Sequence, residues 1–192
     1  MKQFGFEGII FAFFLLGIAG WVCETINESI TRKKFVNKGF FKGPFVPCQG
    51  IGGLGVYAIG SLFKPYPLLV FLVGMVVCTA VEYGTALFLE KCFKVKCWDY
   101  ATYPHTKWCH YKGRVSLTIS LFFGIITLFV VYFFWDFMMS IVHAAGTSIL
   151  LIDGVFIAVF CIDALYTCSK LLRYKKAGIK VEGWAVFSDT KA

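Results

Sequence analysis

"LLVFLVGMVVCTAVEYGTALFL", residues 68–89, decides the fold. The run is long and apolar enough to cross a bilayer as a helix, which takes ~17–25 residues. It carries one charge, Glu82. A carboxylate at the bilayer centre costs ~2.5–3.5 kcal/mol on insertion scales, so Glu82 must face protein or water rather than lipid. The chain then leaves the apolar run through a basic, aromatic stretch, Lys91 to Tyr100.

The remainder of the sequence follows the same pattern. The chain has 192 residues, 58% of them hydrophobic and only 16% charged, with a mean hydropathy of +0.73. Soluble domains carry ~25% charged residues. A soluble core of this size cannot hide so many Phe, Leu, Ile and Val. The sequence therefore predicts an all-α polytopic transmembrane bundle of about five spans: 6–26, a short Gly-rich 47–63, 68–89, 115–135 and 149–168. These form one transmembrane domain over 1–170, followed by a basic tail, 171–192. Trp21 and Glu24 sit where a small-residue cleavage site would lie, so the first span is read as mature structure.

Lys and Arg set the orientation. Of the 19 basic residues, 17 fall in the loop after span one, the loop after span three, and the tail. The positive-inside rule puts these in the cytoplasm and the N-terminus outside. The net charge of +8 then marks a membrane-facing rim, and no nucleic-acid partner is expected. None of the eight cysteines falls clearly in an outer loop, so thiols are expected. Cys97, His105, Cys109 and His110 match no standard zinc spacing. No metal and no cofactor are expected. The chain has no phosphate loop, nucleophile motif or legible acid–base pair, so it does not read as an enzyme.

The polar residues inside the spans lie on stripes. Gly17, Gly20, Glu24 and Glu28 share one face of the first helix. Gly74, Cys78, Glu82 and Ala86 share one face of the third, with Glu90 a turn on. Ser116, Ser120, Gly124 and Thr127 do so on the fourth, and Asp163, Thr167 and Lys170 on the fifth. Small residues let helices approach closely, and hydroxyls bond across them, so these stripes are expected to face one another. Glu24, Glu82 and Arg114 fall at similar depth in the cytoplasmic half. They are expected to form one coupled polar centre, either an ion-pair network or a cavity open to the cytoplasm. Glu28 and Glu90 are expected at the interface, and Asp153 near the outer surface.

The stretch 37–55, "NKGFFKGPFVPCQGIGGLG", carries six glycines and two prolines and disfavours a regular helix. It reads as a connector into a closely packed helix or as a broken helix lining a site. Asn37 and Gln49 are its candidate site residues. Trp98 and Tyr100 suit the headgroup zone, and Asp99 is expected either to pair with a nearby cation or to cap a turn. With Asp163 these complete the candidate set. A faint internal echo is also present: Glu24 precedes Phe35, and Glu82 precedes Phe93, by the same interval, as two parallel two-helix units would.

Several of these pieces together carry a resemblance. They are Gly20-Trp21 with Glu24, "FVNKGFFKGPFVPCQGIG", "EYGTALFLEKCF", Trp98-Asp99-Tyr100 and "GRVSLTISLFFG", in that order over residues 17–124. The chain resembles the ABC-transporter permease family of small bacterial membrane proteins known as the CmpB-like or type IV group. Lys38 stands where that pattern commonly has Arg, and Cys48-Gln49 where an aliphatic–aromatic pair is common. The resemblance implies transport, without supplying a substrate or establishing a separate ATPase subunit. Five helices give little room to enclose a path, so a homodimer or a complex with another membrane subunit is expected, in contact with membrane lipid. The alternatives are a membrane-embedded enzyme acting on lipid at the inner leaflet and a non-transporting scaffold.

Overall fold

The computed structural model describes residues 6–177. Six helices follow one another: α1 (Phe6–Arg32), α2 (Pro47–Gly60), α3 (Pro67–Phe93), α4 (Leu117–Phe129), α5 (Trp135–Ala145) and α6 (Ser148–Lys176). A π-helical turn, Val130–Phe134, joins α4 to α5 without a break, and two-residue strands β1 (His110–Tyr111) and β2 (Val115–Ser116) pair as a small hairpin. Four stretches are long and apolar enough to cross a membrane: Gly8–Ile30, Pro67–Phe93, Leu117–Ala145 and Ser148–Lys176. The protein is thus an all-α multi-pass membrane bundle.

Contacts between small residues and their neighbours fix the helix directions. Gln49 packs on Gly20 and Leu16 on Gly53, so α2 runs antiparallel to α1. Cys78 lies against Gly52 and Val70 against Gly60, so α3 is antiparallel to α2. Thr127 lies on Gly74, and the Thr79 and Ser120 hydroxyls bond at 2.6 Å, which sets α4 antiparallel to α3. Phe11 and Phe14 meet Phe156, and Phe14 also meets Phe160, so α6 runs with α1. The chain therefore makes five passes through the bundle, and Phe6 and Lys176 lie at opposite ends.

The second pass differs from the other four. At 14 residues, α2 is ~21 Å long, short of the ~30 Å hydrocarbon core. The Val46 N–H donates to the Gly17 carbonyl at 3.1 Å, so α2 starts beside a residue ~16 Å from the start of α1. The first half of this pass is non-helical backbone, 33–46, and only the second half is helix. The Gly-rich stretch 37–55, expected to disfavour a regular helix, is non-helical only before Pro47 and forms a regular helix from there on. Gly20, Gly50 and Gly53 meet Gln49, Phe13 and Leu16, as close helix packing requires, and the chain before Pro47 is broken.

Other helices outrun their apolar cores. α1 continues to Arg32, and the fourth pass reaches Ala145 rather than stopping near 135. Loss of hydrophobicity at Asp136 does not end a helix that has no breaker. Gly146, with φ of +54°, does end it. α6 takes in the start of the expected basic tail and ends at Lys176; residues 178–192 lie outside the described residues.

Candidate functional site

The non-helical stretch sets the problem that the polar residues solve. Backbone N–H and C=O groups at membrane depth must be satisfied by protein. Asn37 does most here: its Oδ1 accepts from Trp21 Nε1 at 2.7 Å and from the Gly39 N–H at 3.1 Å, and its Nδ2 donates to the Lys42 carbonyl at 2.9 Å. The Ser29 hydroxyl accepts from the Val36 N–H at 3.0 Å, and Thr25 from the Lys38 N–H at 3.4 Å. Asp163, in the middle of α6, accepts from the Lys42 and Gly43 N–H groups at 3.1 and 2.6 Å. Thr167 donates to the same carboxylate at 3.2 Å. Asn37 and Asp163, singled out from sequence, thus hold the broken segment in place.

Deeper in the bundle lies an acidic cluster. Glu24 on α1 accepts from the Gln49 side-chain amide of α2 at 2.7 Å. Glu82 on α3 is buried at 8% exposure and accepts from the Tyr100 hydroxyl at 2.5 Å. Its other oxygen, Oε2, is buried and has no hydrogen-bond partner among the described residues. Cys48, at the start of α2, lies within electrostatic reach of both acids. The α2 N-terminus therefore brings the positive end of its dipole to their level. One turn further along α1, Glu28 is buried at 1% exposure and pairs with Lys38 at 3.2 Å.

Tyr100 reaches Glu82 because the segment after α3 folds back into the bundle. Lys94, with φ of +60°, turns the chain at the end of α3, and Val95 packs on Leu171 of α6. The Tyr100 N–H donates to the Gly113 carbonyl at 2.9 Å, and Trp98 Nε1 donates to the Arg114 carbonyl at 2.7 Å. Asp99 pairs with Lys96 and accepts from the Ala101 N–H at 3.0 Å, so it acts both as ion-pair partner and as turn cap. Gly113 is required twice over: its φ is +71°, and a Cβ there would strike the Asp99 carboxylate. Burial first, then the charge of Glu82 and the bond to it, then Glu24, raise the Tyr100 phenol well above its ordinary pKa. It remains the donor in that bond.

Arg114 does not join this cluster. Its guanidinium grips Glu90, with Nε at 3.0 Å and Nη2 at 2.6 Å from Oε2. The β1–β2 turn holds Arg114 beside the end of α3, two turns from Glu82. The expected Glu24–Glu82–Arg114 contact is therefore replaced by two centres, Glu24–Gln49 with Glu82–Tyr100, and Arg114–Glu90. Glu28, expected at the interface, is buried within the protein, paired with Lys38 of the segment that folds back on α1. Asp153, expected near the outer surface, is buried at 3% exposure near the start of α6. The Glu28–Lys38 pair and Cys48 were not singled out as site residues. Glu28 was signalled by its place on the Gly17–Gly20–Glu24 stripe, and Lys38 and Cys48 only by their places in the 35–52 motif, which gave neither a partner.

No group of three or more His, Cys, Asp or Glu that could hold a metal occurs among the described residues. Cys97 lies by Val95 and Leu171, while His110 Nδ1 accepts from the Gly113 N–H at 3.0 Å, so the two serve different ends of the loop.

Apolar passes, a broken second pass and buried carboxylates together define a multi-pass membrane protein. The chain belongs to the family described as "Putative ABC-transporter type IV", whose model matches residues 11–168. No curated protein and no solved structure matches it.

Proposed function

We propose that the protein is a transport component, a permease subunit of a larger membrane assembly, whose solute path passes the level of Glu24, Gln49, Glu82 and Tyr100. One observation carries this reading: backbone 33–46 is kept non-helical at membrane depth and is held there by Asn37, Thr25, Ser29 and Asp163. Transporters build sites from such broken passes. The site opens toward the cytoplasm, where Trp98, Asp99 and Tyr100 cover it. The protein sits in a bacterial inner membrane, with the N-terminus outside and the C-terminus inside. It functions as a homodimer or with another membrane subunit, driven by a separate ATPase subunit.

The purified protein in liposomes, alone and with a co-purified ATPase, tests the reading. Solute flux that depends on Glu82 and Asn37 is the expected result. Intact flux in both Glu82→Gln and Asn37→Ala would remove the proposed path. Conversion of lipid without flux would instead favour a membrane-embedded enzyme.

A further inference from the structure

We propose that the Glu24–Glu82 cluster is a binding site for a small monovalent inorganic cation, closed from the cytoplasmic side by Tyr100. The proposal names the ligand of the site on which the transport reading rests.

The argument starts from Glu82. Its Oε1 receives a proton donor from Tyr100, but Oε2 is buried and unpartnered. An acceptor left like this in a low-dielectric interior is costly, and the cost is relieved by a positive charge or a donor placed on it. The groups around it supply acceptors. Gln49 spends its amide N–H on Glu24, which leaves its carbonyl oxygen as an acceptor, and Tyr100 spends its hydroxyl proton on Glu82, leaving an oxygen lone pair.

The charged groups that face the cluster come from three elements. α1 contributes Glu24 and Glu28, α3 contributes Glu82, and the 33–46 segment contributes Lys38. Lys38 lies on Glu28 at 3.2 Å. Arg114, the next cation, is taken by Glu90. The Lys38 charge also reaches Glu24 and Glu82, so one cation serves three acids and the cluster keeps a surplus of acidic groups around the unpartnered Glu82 Oε2. Two carboxylates that share the Lys38 charge with Glu28 hold less surplus charge than a calcium site, which takes six to eight oxygens with several from carboxylates, so a singly charged ion suits them. Non-helical backbone and helix ends at mid-membrane are the setting in which transporters hold such ions.

The test uses the full-length purified protein in detergent at constant ionic strength and fixed pH. Thermal unfolding is followed while choline chloride is replaced by sodium, potassium or ammonium chloride. A ligand that binds only the folded state raises Tm in a saturable way. The expected result is a saturable rise for at least one small cation and none for choline. Tyr100→Phe raises the half-saturating concentration about tenfold by loosening the cover and one acceptor. Glu82→Gln abolishes the saturable part. If Glu82→Gln fails to fold, Glu24→Gln and Tyr100→Phe, titrated in the same way, carry the test.

An identical response to all four salts, or saturable stabilisation retained in both Glu24→Gln and Glu82→Gln, overturns the proposal. Stabilisation that follows pH alone overturns it in favour of a proton. Saturable cation binding in a protein that supports no flux upholds the site and removes only the transport reading. Flux in a protein with no cation response does the reverse.

Discussion

Removing the Tyr100 hydroxyl should couple strongly to any change at Glu82 and hardly at all to a change at Arg114. The perturbation is Tyr100→Phe, combined with Glu82→Met. In water, a hydrogen bond to a charged group contributes ~1.5–3 kcal/mol. Double-mutant cycles within membrane bundles average ~0.6 kcal/mol and reach ~1.7 kcal/mol. The Tyr100–Glu82 bond belongs near the upper end, because Glu82 is 8% exposed and has no second partner to fall back on. A coupling of ~1–1.5 kcal/mol is therefore expected, about a tenfold change in the unfolding equilibrium. Glu82→Met also removes the unpartnered Oε2, so this single substitution should cost less than loss of an ion-pair partner normally would. The assay is equilibrium unfolding in mixed micelles across the four proteins of the cycle. Additivity within ~0.3 kcal/mol would refute the geometry. So would a strong coupling between Glu82 and Arg114, because Arg114 is held on Glu90.

Three other outcomes follow from the same structure. Gly74→Val should force α3 from α4, since even a Cβ strikes Thr127; a loss of ~1–3 kcal/mol by the same unfolding assay is expected, and wild-type stability would show that the seam is loose. Cys97 should resist maleimide at pH 8 while Cys109 reacts, because burial pushes the Cys97 thiol up to about 12, whereas Ser116 and Thr118 hold the half-exposed Cys109 below its ordinary value; mass spectrometry of the labelled peptides checks the order. In a cysteine-free background on whole cells, a cysteine at Lys64 should label from outside and one at Lys112 should not, and labelling of Lys112 would reverse the orientation.

Where each side chain's partner lies on a neighbouring regular helix, sequence was enough. The Gly74–Cys78–Glu82 stripe meets the Ser120–Gly124–Thr127 stripe, as small-residue spacing implies, with Thr127 on Gly74 and Thr79 bonded to Ser120. Where the partner comes from a loop, sequence was not enough. Counting residues back from the fourth span placed Arg114 beside Glu82. The hairpin that precedes α4, turned by Lys112 and Gly113 in the left-handed region, moves it to Glu90 instead. Tyr100 and Lys38 were equally illegible as partners of Glu82 and Glu28, because both lie on backbone that doubles back and has no periodicity to extrapolate. The burial of Glu28 was likewise illegible, because its partner Lys38 comes from the segment that folds back on α1.

The start of α2 at mid-depth bears on how the chain is made. A translocating ribosome presents segments in order, and the insertion machinery selects those apolar and long enough to leave the channel on their own. α1 qualifies; the 14-residue α2, preceded by Lys38 and Lys42, does not meet the ~17-residue minimum. It must wait in the channel, or on the cytoplasmic surface, until α3 emerges behind the tight turn at Lys64–Pro67. The two then enter as a helical hairpin, and α3 supplies the hydrophobicity that draws the broken segment in. A nascent chain arrested before Val70 should therefore leave α2 and the Asn37 loop on the cytoplasmic side. One that extends past Phe93 should carry them into the bilayer.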